Sequence, residues 1–470
     1  MEKSFTFQGR DKAIDIIEQS GDLVKYLTTQ NVECPLLESK EIKLIKKLGK
    51  GAAGAPAWSI EVPGHGRKEY VAKIFTDKLE NRKLKEMDSL FGSKTSKTLK
   101  EIAKFIENNE GILADTTIYV NGNDPNRVYN KQNNFVYVMD NAKMCKNTIP
   151  LKFKRFDGPK FTTIPVGSYI CAEERFSEYI IGVLCGNIFR SGVSLHFIDM
   201  FGFASCANAI PDKIKQYVFM DKIDSTIAKL VFVKPVEDQI IDPNSVLFEQ
   251  TLWKGKKYTE LDILCVQTLT AIAAMQQHSI QHDDLHLDNV FLEKVSKKTE
   301  YNNRFLIDYP VWKHDIFDKE IYTPATRWVV KIGDFGLSVK YSTPMVGNEN
   351  VLENGYDQHD GGGSWIPNWF SRAYDVLYFL NATYRVDRGS KLVKALLGAA
   401  LCLPPLASDI DLDAEVLVAL NPNNSRPRMN MLKNYDVSAN PVTLLHNEIL
   451  SSFHSPSNKQ SNSCTLATII

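Results

Sequence analysis

The sequence predicts an α+β fold in two lobes, and three observations predict it. Strand-like segments dominate the first half: IKLIKKL, AWSIEV and YVAKIF between Ile42 and Phe75, then FVYVMD at Phe135 to Asp140. Helical periodicity dominates the second half. The composition is globular, with 43% hydrophobic and 24% charged residues in 470, so a disordered or fibrous chain is excluded. The 56 Lys+Arg balance the 56 Asp+Glu, for a net charge of zero. A dedicated nucleic-acid or membrane-surface binder carries a basic excess, so neither class is expected.

Each element follows in order. Residues 1–41 read as a helical extension, with Ile14, Ile16, Ile17, Leu23 and Val24 as its apolar face. Residues 76–160 are polar and weakly patterned, and VNGNDPNRVYNKQNN within them is loop-like. FSEYIIGVLCGNIF then reads as a helix, and SLHFIDMFGFA and YVFMDKI as strands. Thr259 can cap ELDILCVQTLTAIAAMQQ, with Asp262 completing a capping box. Leu261, Leu264, Cys265, Leu269, Ile272 and Met275 share one face of that helix, which predicts burial. SRAYDVLYFLNATYRV is a second helix, and the Ser/Asn-rich stretch after residue 453 is expected to be disordered. No apolar run approaches the roughly 18 residues of a membrane span. The N-terminus lacks a secretion signal, and eight scattered cysteines without a CxxC pair fit a reducing, cytoplasmic compartment.

Four motifs carry chemistry. LGKGAAGAP, from Leu48 through Gly49, Lys50, Gly51, Ala52, Ala53, Gly54 and Ala55 to Pro56, has G-x-G-x-x-G spacing. Glycines let backbone N–H groups approach a phosphate, although an ordinary hairpin turn has the same composition. A strand follows instead of a helix, which argues against a dinucleotide site. Lys73 in VAKIF stands among apolar neighbours as a phosphate clamp or as a solvent-facing strand residue. HDDLHLDNVFL sets Asp284 and Asn289 five residues apart, a carboxylate to orient a hydroxyl and an amide to ligate a cation, or else a polar loop. VVKIGDFGLS places Asp334 at a turn after an apolar strand, suited to magnesium or to an ordinary Asp-x-Gly turn.

In this order, G-x-G-x-x-G, VAK, HxDLxxxN and DFG resemble the signature set of the eukaryotic-type protein-kinase superfamily, over roughly Ile42 to Phe453. The insertions resemble those of kinases from large DNA viruses such as iridoviruses or poxviruses. The resemblance implies a β-rich N-lobe at 42–222 with an insertion at about 76–160, a mainly helical C-lobe at 223–453, and a tail at 454–470. It implies a serine/threonine-protein kinase that uses ATP and Mg²⁺ on protein substrates, in a host cytoplasm or a virion. The segment Leu48–Pro56 would cover the nucleotide phosphates and Lys73 would hold the α- and β-phosphates. Asp284 would be the base, and Asn289 and Asp334 would hold magnesium. Asp221, within Phe219–Lys222, would belong to the segment against adenine.

The partner of Lys73 is Glu86 or Glu178. The order helix, strand, strand after Glu178 selects Glu178. Departures from the family matter too. Asp283 replaces an expected Arg and would repel an activating phosphate. His286 replaces a Lys and, if neutral, is a poorer cation for the γ-phosphate. The DLH form resembles haspin-like kinases and small-molecule phosphotransferases. No APE motif follows the DFG, and Glu293 to Trp328 reads as a surface insertion. Asp375 matches the aspartate that braces the catalytic loop, and Arg426 the buried arginine of the closing helices. His278, His282 and His286 fall four apart as zinc ligands can, but without HExxH; His282 is expected as a packed structural residue. A pseudokinase scaffold and a small-molecule phosphotransferase are the competing functions.

Overall fold

The computed structural model describes residues 43–50, 55–61, 69–78, 118–121, 124–129, 135–138, 153–157, 160–163, 169–172, 174–190, 192–207, 213–233, 240–295, 300–301, 304–305, 311–341, 345–348, 351, 356–357, 365–367, 370–403, 412, 432, 435–455 and 463–469. The fold is mixed α and β with an antiparallel sheet. Two compact units divide the chain. One comprises Met1–Val183, Met200–Lys222 and Lys340–Asn354; the other comprises Leu184–Asp199, Ile223–Val339 and Gly355–Ile470.

The first unit is built on β1 (Lys43–Lys50), β2 (Pro56–Glu61), β3 (Glu69–Lys78), β4 (Met200–Ala207) and β5 (Lys213–Asp221). They form one antiparallel sheet in the order β1-β2-β3-β5-β4. Ala72, Ile74, Val218 and Phe219 are buried in it. Helix α1 (Glu174–Arg190) precedes β4. Its Gly182 packs closely: a Cβ there would sit 2.0 Å from Met200 Sδ, so a side chain would force the Met200 side chain to move. The strand of SLHFIDMFGFA begins only at Met200; Ser194–Asp199 runs irregularly before it.

One expectation for the first unit changes. The segment read as loop-like contains a strand, Asp124–Tyr129, inside a five-stranded sheet with Ile118–Asn121, Phe135–Val138, Phe153–Asp157 and Lys160–Thr163. That strand contains Pro125. The proline falls at a register shift, outside the paired positions, where the absence of an N–H costs nothing. The extension at 1–41 lies outside the described residues.

The second unit centres on α2 (Glu260–Gln277). Thr259 Oγ1 accepts from the Asp262 N–H at 3.1 Å and Asp262 Oδ2 accepts from the Thr259 N–H at 2.8 Å, closing the capping box. The helix is buried on every face from Glu260 to Met275, beyond the single face expected. Its polar residues allow this. Thr268 and Thr270 bond back to the carbonyls of Leu264 and Val266, and Gln267 Oε1 accepts from Val330 N at 3.0 Å. Around it lie α3 (Tyr374–Val386), the strand β9 (Trp328–Ile332) and the short helix Pro441–Leu445. Strand β6 (Val290–Lys294) pairs with β9.

The Glu293–Trp328 segment is not simply a surface insertion. It contains a hairpin of β7 (Val311–Ile316) and β8 (Lys319–Pro324), with Val311, Trp312, Ile316 and Ile321 buried. His314 Nε2 lies 3.2 Å from His196 Nε2, and burial pushes both imidazoles below their usual range. The tail expectation also fails for seven residues. Strand β10 (Ser463–Ile469) pairs in parallel with β7. The polar run before it hides a short segment, CTLATI, of β-branched and apolar residues suited to a sheet.

Candidate active site

Lys73 sits at the centre of β3, flanked in register by Ala57 and Val218. A lysine there must be paired, because an ammonium out of water loses several kcal/mol of hydration. Glu178, one turn into α1, supplies the partner. Its Oε2 accepts from Lys73 Nζ at 2.7 Å, with the two side chains 1% and 7% exposed. This is the pairing chosen from the order of elements; Glu86 lies outside the described residues. The Phe75 ring, two residues along the same strand face, lies 5.6 Å from the ammonium. The glycine-rich segment joins β1 to β2. Leu48 and Gly49 end β1 with Lys50, Ala55 is buried, and Pro56 opens β2, while Gly51 to Gly54 lie outside the described residues. A Cβ on Gly49 would meet nothing within 4 Å, so packing does not require that glycine. Asp221 ends β5, half-buried, opposite Tyr70, and one of the points where the chain passes from the first unit to the second falls after Lys222.

In the second unit the turn from Gln281 to Asn289 connects α2 to β6. Its fixed point is Asp375, in the first turn of α3 and fully buried. The two Asp375 carboxylate oxygens accept from consecutive N–H groups, His282 N at 2.8 Å and Asp283 N at 2.9 Å. Those bonds hold Asp283 at φ +67°, a left-handed conformation uncommon outside glycine. His282 then ties the turn to the DFG segment. Its Nδ1 accepts from Asp284 N at 3.3 Å, which makes Nε2 the N–H that donates to Gly333 O at 3.0 Å. Phe335 is fully buried, its ring 5.3 Å from the His282 ring. Ser338 Oγ donates to His282 O at 2.9 Å. His282 is therefore the packed structural residue expected, and it also aligns Asp284 with Asp334, itself left-handed at φ +62°. Gly333 has no room for a side chain: a Cβ would lie 2.4 Å from Ile198 Cδ1.

Asn289 folds back on the turn. Its Nδ2 donates to Asp284 O at 2.8 Å and to Asp284 Oδ2 at 3.3 Å. That commits the amide nitrogen and leaves Oδ1 for a cation. Asn289 Oδ1 and the Asp334 carboxylate are hard oxygen donors of the kind magnesium takes, with substrate phosphates and water supplying the remaining ligands. Among the described residues no group of three or more His, Cys, Asp or Glu is placed to hold a metal, and a magnesium shared with phosphates does not require one. The donor set fits that ion.

Two substitutions read differently in three dimensions. Asp283 is fully buried, and burial together with the Asp375 charge pushes its carboxyl well above the usual range. It accepts from Gln281 Nε2, and its Oδ2 has no partner among the described residues. The expectation assumed an exposed carboxylate; Asp283 is instead buried with its pKa raised, and so opposes a surface phosphate less strongly. His286 Nε2 lies 3.5 Å from Asp284 Oδ2, and Nδ1 accepts from Asp288 N at 3.2 Å. Burial lowers its pKa, but the Asp284 hydrogen bond and the charges of Asp284, Asp288 and Asp334 outweigh burial and raise it. His286 therefore carries more positive charge at neutral pH than an ordinary histidine.

Sequence reasoning missed a supporting chain. Gln281 Oε1 accepts from Ser371 N at 2.7 Å, and Ser371 Oγ donates to Asp436 Oδ1 at 2.8 Å. Arg426 lies outside the described residues. No helix among the described residues is long and apolar enough to cross a membrane. Neither the protein-family models nor the curated proteins compared with the chain match it.

Proposed function

We propose that the chain is an ATP-dependent serine/threonine-protein kinase with a two-lobed kinase fold, acting on protein hydroxyls in a reducing, cytoplasm-like compartment. The single observation that carries the reading is the buried Lys73–Glu178 pair, formed across 105 residues by the two side chains that the motif order selects. A scaffold gains little from burying that pair, since apolar residues of similar volume are often as stable.

The geometry supports the following roles. Glu178 holds the Lys73 ammonium at a fixed point, as a clamp for α- and β-phosphates requires. Asp284, its side chain 17% exposed, accepts the hydrogen bond of the attacking hydroxyl. Asn289 Oδ1 and Asp334 would hold magnesium, which neutralises charge developing on the transferred phosphoryl group. His286 offers a partial cation where the family has a full one. The same residue favours the second reading, transfer to a small-molecule hydroxyl.

The test is transfer from labelled ATP with Mg²⁺ to generic protein substrates and to the protein itself. Transfer that falls at least about 100-fold in Asp284→Asn supports the reading. Nucleotide binding without protein transfer shifts it to a small-molecule acceptor. A folded protein that neither binds nucleotide nor transfers phosphate is a scaffold.

A further inference from the structure

The second unit holds a cavity of about 870 Å³ on residues that no catalytic role uses. One wall is the hairpin Gln250–Trp253 and Lys256–Thr259, turned tightly by Lys254 at φ +48° and Gly255 at φ +79°. The other is α4 (Lys391–Ala400), capped by Ser390 Oγ accepting from Val393 N at 3.0 Å. Asp262 joins the walls by accepting from Ser390 Oγ, so the caps of α2 and α4 share one bond network. Tyr258, Leu392, Ala395 and Ile449 provide apolar lining.

The lining carries more positive than negative charge. Lys256, Lys257 and Lys391 line the cavity, all three exposed, and none forms an ion pair among the described residues. Two carboxylates oppose them. Asp387 also lines the cavity, but one of its oxygens accepts from Gly389 N at 3.1 Å. Asp262 is buried, its carboxylate turned onto Thr259 and Ser390. Positive potential over an apolar floor suits a ligand with negative charges beside an aliphatic group. The volume exceeds that needed for a single carboxylate or phosphate and matches a few residues of chain.

We propose that this cavity docks an acidic peptide segment of a partner protein, an aliphatic side chain entering between Tyr258 and Leu392 while flanking Asp or Glu meet the three lysines. The inference does not require the kinase reading, because it concerns binding alone.

The experiment measures fluorescence anisotropy of a labelled twelve-residue peptide of alternating Glu-Glu-Leu units against the full chain. Saturable binding that weakens with salt is expected. The K256E/K257E/K391E variant should bind about tenfold more weakly, or worse, and Ala395→Trp, which fills the cavity without changing charge, should also lose binding. Lys394→Glu, on α4 but outside the lining, should bind as wild type does. An all-Glu peptide should bind more weakly than the Leu-containing one. Thermal unfolding of each variant establishes that it is folded. No saturable binding to the wild type overturns the proposal. So does equal loss in Lys394→Glu, which would mean diffuse attraction, or undiminished binding in Ala395→Trp.

Discussion

The two groups of candidate residues, one in each unit, are held by different physics. Lys73 and Glu178 are placed by one charge–charge bond between a strand and a helix, each already fixed by its own packing. Asp284 is placed by a turn whose backbone is bolted to Asp375, His282 and Gly333. The first arrangement depends on the candidate side chains themselves. The second depends on residues outside the proposed catalytic set. A mutational survey should therefore find stability and activity linked in the first unit and separable in the second.

The largest test is Asp375→Ala. It strands two buried N–H groups and releases a left-handed residue, so a loss of roughly 3–5 kcal/mol is expected in denaturant unfolding. Asp284→Asn should cost less than about 1 kcal/mol by the same measurement while abolishing transfer. A large stability loss in Asp284→Asn would erase the contrast. Next comes Glu178→Gln, which leaves a buried ammonium without its counter-charge and should cost about 3 kcal/mol. The double variant Lys73→Met/Glu178→Leu should recover much of that loss without recovering activity, since the apolar pair has no desolvation penalty.

Smaller effects come from titration. The folded pKa of Asp283 lies above its unfolded value near 4, so the folded state holds its proton more tightly. Its contribution is full below the unfolded pKa and declines as pH rises toward the folded one. Asp283→Asn should therefore gain on the wild type in melting temperature as pH is raised from 4 to 8, and an unchanged difference would contradict a raised pKa for the buried carboxyl. The smallest effect concerns His286. Its raised pKa keeps it cationic further above 6.5 than a free imidazole, so transfer should decline as pH rises past its folded pKa. His286→Lys should flatten that decline, a severalfold difference at pH 8.

What the sequence made legible was local. The capping box at Thr259 and Asp262 lies within one turn, and both partners belong to the residue types that cap helices. Glu178 was legible because the elements after it leave little choice of helix. Asp375 was reached only through resemblance, because nothing within its own helix marks a residue whose hydrogen bonds go to a turn about 90 positions earlier. Gln281, Ser371 and Asp436 carry no pattern at all; their meaning exists only where three distant segments meet. The strand at Asp124–Tyr129 was masked by a proline that a register shift accommodates. Asp283 was misjudged because burial, which inverts the behaviour of a carboxyl, is invisible in a list of residues.

The parallel pairing of β10 with β7 sets an order on biosynthesis. Its two strands lie about 150 residues apart in the chain. At a translation rate of roughly 5–20 residues per second, β7 waits on the order of 10–30 seconds for its neighbour to be made. Throughout that interval the hairpin presents an open strand edge, the kind of edge to which foreign strands add. A ribosome that stalls before residue 463 leaves that edge uncovered, so nascent-chain quality control has a physical feature to read there.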